Sequence, residues 1–297
     1  FILQFTPDIE KRYELDEGTF LPKNVAFRII GVATTQSRGL KLGEIEEIEE
    51  VQKAIRTVVQ AAQKMAGVLL EDVLVSFSGG EPKSYGVVGN TKIAGRQVTE
   101  YDIGNALTNC DIPEYGVSRE VVHALPVNFS LDNRTGLMDP RGHLGEELTV
   151  DLHLMTVEKN IVDNVIQAIS GCHLDLAGLC FAPYLAGTSS LTEDELQLGA
   201  ACVDLGAGIS GVTIFLKKQM VYGGTVAMGG SHVTNDITKA FNISFESAER
   251  IKNLHGGLIS TSRDDRDLIE VINNIHEKIM ISRSELIGVI RPRIEEI

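Results

Sequence analysis

No apolar run in these 297 residues reaches the ~18–20 that a membrane-spanning helix needs. No charged–apolar–small leader opens the chain either, so no signal peptide is visible. The first residue is Phe1 instead of Met, which reads as a fragment. Cysteine is scarce. Cys110, Cys172, Cys180 and Cys202 show no CxxC spacing, a usage that suits a reducing cytosol. Cys202 lies inside an apolar run and reads as a small core residue, not a nucleophile. The seven histidines are scattered, with no HExxH and no Cys/His cluster, so no structural zinc site is expected. Basic residues are outnumbered 27 to 41, giving a formal net charge of −14. A chain this acidic lacks the basic footprint of sequence-independent nucleic-acid binding, and no nucleic-acid partner is expected. What is present is 43% hydrophobic and 23% charged, an ordinary soluble globular composition sufficient for two or three compact units.

The most informative stretch is Ala201-Cys202-Val203-Asp204-Leu205-Gly206-Ala207-Gly208-Ile209-Ser210-Gly211, followed by the apolar run Val212–Phe215. It reads as a hairpin of two buried strands with Asp204 closing the first. Gly206, Gly208 and Gly211 permit φ > 0 and clear side chains from the turn. Such a turn can aim N–H groups at a phosphate while Asp204 reaches a phosphate-bound Mg²⁺, directly or through water. Local pattern alone favours the plainer alternative, a tight hairpin with a solvated Asp. The flanking sequence changes that weighting.

Phe1–Phe5 suits a strand, Asp8–Glu17 is polar, and Val25–Ala33 reads as a buried strand. A helix is expected from about Gly43 to Ala66. Its start is crowded with glutamates, and Ile48, Val51, Ile55, Val58, Ala62 and Met65 form its apolar face. Asp72–Ser78 is a strand. From Lys83 the texture becomes a small α+β insert: strands at Ser84–Gly89, Val121–Leu131 and Glu147–Val157, and one helix, Glu100–Thr108. Within it Thr149–Met155 alternates, and His153, on the same side as Asp151, reads as an exposed strand residue. Then come a helix at Glu158–Ser170, a strand at Leu174–Cys180, and a helix from Ala182 to about Leu191 with Pro183 in its first turn. Thr192–Glu195 reads as an acidic surface turn. A third strand, Gln219–Val226, follows the hairpin. Gly229-Gly230-Ser231-His232-Val233-Thr234-Asn235-Asp236 leads into a helix at Val233–Phe241, and glycines before a helix N-terminus can hold an anion. Phe245–Leu254 is a helix carrying Glu249 and Lys252, which read plainly as a solvated i,i+3 pair. Arg263–Asp267 reads as a solvated loop, and Leu268–Ile275 as one strand or two. Ile281–Ile297 is a helix capped by Ser282 or Ser284 and kinked at Pro292.

Taken in order, these residues resemble the FtsA family of bacterial cell-division proteins, in the actin/Hsp70/sugar-kinase superfamily. The match runs from about Ile29 to Ile297. It rests on Ser37-Arg38-Gly39-Leu40, Val203–Gly208, Gly229–Ile237, Ala248-Glu249-Arg250-Ile251-Lys252 and Val289–Glu296, with the insert before residue 157. The resemblance implies an α/β actin-like (ribonuclease H-like) fold with an SHS2-like insert, the family's 1C. Residues 1–82 and 157–225 would be subdomain 1A, 83–156 the insert, and 226–297 an incomplete 2A/2B. The family's first phosphate loop has no match in residues 1–25. Its adenosine turn and C-terminal amphipathic membrane helix would lie beyond Ile297.

The resemblance further implies ATP with Mg²⁺. Asp204 would bind Mg²⁺ through water. Gly206, Ala207, Gly208 and Ser210 would line the phosphates, Gly229 and Gly230 would face the nucleotide, and Glu249 and Lys252 would hold ribose or adenine. Ala207, Ile209 and Ser210 depart from the usual Asp-Ile-Gly-Gly-Gly-Thr-Thr pattern. Phe181-Ala182-Pro183 carries no water-positioning Glu or Gln. At most weak ATPase activity is therefore expected. The implied partners are the FtsZ C-terminal tail, at Arg293, Arg291 and Lys278, further copies of the chain, and later division proteins through the insert. The implied location is cytoplasmic, peripheral on the inner membrane at the division site. Two alternatives remain: a pilus-assembly scaffold of related fold, and a metabolite kinase. The kinase needs a carboxylate base, for which Asp8 and Asp151 are the faint candidates.

Overall fold

A computed structural model describes residues 1–5, 27–112 and 118–297. The expectations on Asp8, the Asp8–Glu17 segment, Val25 and Ala26, and the search for a phosphate loop past Phe5, lie outside the described residues. In chain order the elements are β1 (Ile2–Phe5), β2 (Phe27–Gly31), β3 (Leu40–Lys41), β4 (Glu44–Ile45), α1 (Ile48–Ala66), β5 (Asp72–Phe77), β6 (Lys83–Lys92), α2 (Glu100–Thr108), β7 (Arg119–Leu131), β8 (Arg134–Leu137), β9 (Glu147–Glu158) and α3 (Lys159–Ser170). There follow β10 (Asp175–Phe181), α4 (Ala182–Ser190), α5 (Glu193–Leu198), β11 (Ala200–Leu205), β12 (Ser210–Leu216), β13 (Gln219–Val226), α6 (Gly230–Phe241), α7 (Phe245–His255), β14 (Leu268–Ile272), β15 (Lys278–Ser282) and α8 (Arg283–Glu296). They divide into two units, Phe1–Cys202 with Val212–Gly224, and Val203–Gly211 with Thr225–Ile297.

In the first unit β1 pairs antiparallel with β2, and β5 lies parallel to β10. The expected buried strand at Val25–Ala33 is not buried: Ile29 is 54% exposed. Only one side of β2 packs, with Gly31 so close to α1 that a Cβ there would lie 2.6 Å from the Ala62 carbonyl oxygen. The helix expected from Gly43 starts at Ile48. Leu42 (φ 49°) and Gly43 (φ 75°) make the two-residue left-handed turn of the β3–β4 hairpin, which takes the segment before the helix can begin. The expected surface turn at Thr192–Glu195 is instead the start of α5. Thr192 caps that helix, and Glu195 reaches back to its N–H at 2.8 Å.

The insert is a four-stranded antiparallel sheet, ordered β6–β9–β7–β8, with α2 against one face. Its core includes Ile93, Val98, Ala106, Leu148, Val150 and Leu152. Asp102, 1% exposed, accepts from Arg96, Thr99 N–H and Thr99 Oγ1, and this charge-assisted set holds its carboxyl well below the usual range. His153 is not exposed. It is 2% accessible, because β9 lies between β6 and β7 and both faces of its second half are covered.

In the second unit α6, α7 and α8 enclose an aliphatic core with the β14–β15 hairpin, through Val233, Ile237, Ile251, Ile269 and Leu286. The loop expected to be solvated at Arg263–Asp267 is tied down. Asp264 is 4% exposed, accepts from Thr261 N–H and Oγ1, and takes a 2.7 Å bond from Arg283. Ser282 is the cap of α8, in a box with Glu285, and the helix runs on through Pro292.

Candidate functional site

Asp204 stands on the half-buried side of β11, with Ala200 and Cys202. Val203 and Leu205, on the other side, are 62% and 68% exposed. The first strand of the hairpin is thus not buried as expected. It is the edge of a three-stranded sheet ordered β11–β12–β13, with only one face covered. Among the described residues no hydrogen bond engages the Asp204 carboxylate.

The turn closes by a 3.0 Å bond from Gly206 N–H to the Ile209 carbonyl. Gly206, Gly208 and Gly211 permit positive φ, but none of them adopts it. At Gly206 the constraint is proximity instead: a Cβ would lie 2.5 Å from the Ile209 oxygen. No backbone acceptor among the described residues takes the N–H of Ala207 or Gly208. Ser210 is committed. It is 6% exposed, and its hydroxyl donates to the Met228 carbonyl at 2.8 Å.

The helix after the double glycine begins at Gly230, earlier than expected, with Gly229 as its cap. Gly230 N–H donates to the Gly206 carbonyl at 3.0 Å, and Ser231 N–H to the Ala207 carbonyl at 2.8 Å. His232 Nδ1 accepts from Gly229 N–H at 3.2 Å. The first donors of α6, which the sequence offers to an anion, are therefore already satisfied by the neighbouring turn. The unassigned donors are those of Ala207 and Gly208.

Glu249 and Lys252 are an i,i+3 pair as expected, but only part-exposed, with side chains 39% and 19% accessible. Lys252 Nζ donates to Glu249 Oε2 (2.7 Å), Thr234 Oγ1 (2.8 Å) and the Gly230 carbonyl (3.1 Å), giving each ammonium proton an acceptor. Thr234 Oγ1 donates in turn to Glu249 Oε2 at 2.5 Å. Burial raises the Glu249 pKa, but the bonds from Lys252 and Thr234 outweigh it and leave the carboxyl below its ordinary value. This knot fastens α7 to the first turn of α6. Chemically, a carboxylate without a hydrogen-bond partner, a turn with unassigned N–H groups and a part-buried ammonium suit a phosphate-bearing ligand with a hydrated cation.

The basic residues of α8 and β15 have local partners. Arg293 Nε and Nη2 reach Asp236 at 2.7 and 3.2 Å, and Nη1 bonds Glu296. The hydrogen bond to Asp236 raises the guanidinium pKa further. Arg291 pairs with Glu295 at 2.6 Å, and Lys278, on the hairpin, with Glu270 at 2.7 Å. Arg291 and Arg293 share α8, whereas Lys278 stands at the start of β15. The sequence reading missed Thr234 and Asp236. Both lie in the quoted motif after Gly229, but their partners are 15 to 57 residues away in sequence. Asp151 accepts from Asn128 Nδ2 at 3.1 Å within the insert's sheet. Among the described residues no group of three or more His, Cys, Asp or Glu side chains is placed to hold a metal. No described helix is long and apolar enough to cross a membrane.

Two family models match the chain: "SHS2 domain inserted in FTSA" over residues 79–156 and "Cell division protein FtsA" over residues 201–288. Cell division protein FtsA of Rhizobium meliloti (strain 1021) is 31% identical over 285 residues, covering 94% of this chain. The chain spans 64% of that relative's length. Among solved structures, a PilM–PilN type IV pilus biogenesis complex matches with TM-score 0.52 at 16% identity, over 79% of this chain and 63% of that one. MreB5 of Spiroplasma citri bound to ADP matches with TM-score 0.50 at 14% identity, over 95% of this chain and 61% of that one. At such identities these two likenesses concern the fold alone.

Proposed function

The chain belongs to the FtsA family of cell division proteins, and from that premise we propose that it is an ATP-binding scaffold linking FtsZ to the cytoplasmic membrane and helping to assemble the divisome. Its fold is actin-like with an SHS2 insert. Supporting the nucleotide role is the convergence within one unit of Asp204, the Gly206–Ser210 turn, Gly229 and Gly230, and the Glu249–Lys252 knot.

Asp204, uncommitted in the structure, would hold Mg²⁺ through water. The N–H groups of Ala207 and Gly208 would meet phosphate oxygens. Gly206 and Ser210 shape that turn, Gly229 and Gly230 bring the second strand of backbone beside it, and Glu249 with Lys252 would hold ribose or adenine. Bound Mg²⁺ supplies positive charge against the phosphates. The Ala207 methyl beside the turn, and Phe181-Ala182-Pro183 without a carboxylate or amide, favour binding over turnover. Self-association, contacts to later division proteins through residues 83–156, and peripheral attachment at the inner membrane complete the proposal.

Thermal unfolding of the full-length protein with and without millimolar ATP and Mg²⁺ tests the nucleotide role. A rise in Tm of about 2–5 °C is expected, and Asp204→Ala should remove it. No shift with the unaltered protein would overturn ATP binding.

A further inference from the structure

His123 and His153 lie where the insert's sheet meets the rest of the first unit, and no part of the proposed nucleotide site uses them. His123, on β7, accepts the Phe181 N–H through Nε2 at 3.0 Å. Phe181 is the last residue of β10 and the cap of α4, so this imidazole supplies the acceptor at that helix start. Its ring packs against Tyr184 of α4 at 5.4 Å, and Tyr184 stacks on Phe215. His153, on β9, has neither ring nitrogen hydrogen-bonded, although it is 2% exposed.

We propose that these two histidines form an acid-operated release between the inserted sheet and the β10–α4 junction. Nε2 of His123 can accept only while it carries no proton. Protonation turns it into a donor facing a donor, and puts a cation at the positive end of α4. A proton on His153 creates a buried cation with no acceptor.

Among the described residues no carboxylate is hydrogen-bonded to either imidazole ring. The titratable groups beside the pair are Tyr184 from α4, whose pKa burial raises, and the Cys180 thiol from β10. In register with His153 stand Gly86 on β6 and Leu125 on β7. On the histidines' own strands, Asp151 is held by Asn128, while Glu120 pairs with Lys159 of α3, which also pairs with Asp163. Burial lowers the pKa of both histidines, His153 to about 4 with His123 adding repulsion. Both folded-state values therefore lie below the ordinary value near 6.5. The unfolded or opened chain binds more protons, so the joint is intact above about pH 6.5 and weakens as pH falls toward 4.

Hydrogen–deuterium exchange of the whole chain at pH 7.5 and 5.0, normalised to intrinsic rates, tests this. Peptides covering 119–131 and 175–190 should exchange about tenfold faster at pH 5.0, while peptides covering 230–255 hold their protection. His123→Gln with His153→Leu, which keeps an amide acceptor and removes both titrations, should abolish the difference. If that double variant does not fold, as judged by circular dichroism, His123→Gln alone should reduce it. Equal protection of the unaltered chain at both pH values, or an undiminished rise in the folded variant, would overturn the proposal.

Discussion

Gly229 and Gly230 are adjacent, yet the structure asks different things of them. A Cβ on Gly229 would lie 2.3 Å from the Gly206 oxygen and 2.8 Å from the Ala207 oxygen, both of them backbone atoms bonded to the first turn of α6. At Gly230 the nearest atom is Lys252 Nζ, at 3.6 Å, an ordinary van der Waals distance. Gly229→Ala should therefore cost about 2–3 kcal/mol in urea unfolding, because the turn must leave the helix. Gly230→Ala, at the first helical position, should be neutral or stabilising by up to about 1 kcal/mol. Equal losses would show that the approach of turn and helix is not the constraint. A double glycine in sequence reads as two permissive residues. Only the carbonyls of a distant turn separate the two roles.

At the scale of elements, α2 and β13 appear with the bounds expected from sequence, because their signals are local: Thr99 with Asp102 at a helix start, and an apolar strand bounded by charge and glycine. Where a second local signal competes, the first fails. The glutamates after Gly43 suggest a helix start, but the Leu42–Gly43 turn claims the chain first. His153 shows the other limit. Alternation marks a strand with one wet face, and nothing local says that a strand is central. The basic end of α8 was legible as charge but not as pairing. Arg293 joins α8 to α6 through Asp236, so an acidic FtsZ tail would have to compete with Asp236 and Glu296. Arg293→Glu should weaken binding of an FtsZ C-terminal peptide by about tenfold in a titration. It would also set like charges against each other at Asp236, so Arg291→Glu, whose partner Glu295 is exposed, serves as the folded companion. Unchanged affinity in both variants would remove this helix face from the FtsZ site.

At the scale of the molecule, motif order and the insert were sufficient to reach the family, because both survive the loss of single motif residues. The candidate nucleotide residues fall in one unit although they come from three separate stretches of sequence. The chain covers 64% of the length of its Rhizobium meliloti relative, so the proposed scaffold role is to be tested on a full-length protein. The most direct test is a pull-down of the full-length protein with FtsZ, with and without ATP. The account predicts recovery of intact FtsZ and loss of recovery when the FtsZ C-terminal tail is deleted. Failure to recover intact FtsZ under either nucleotide condition would contradict it.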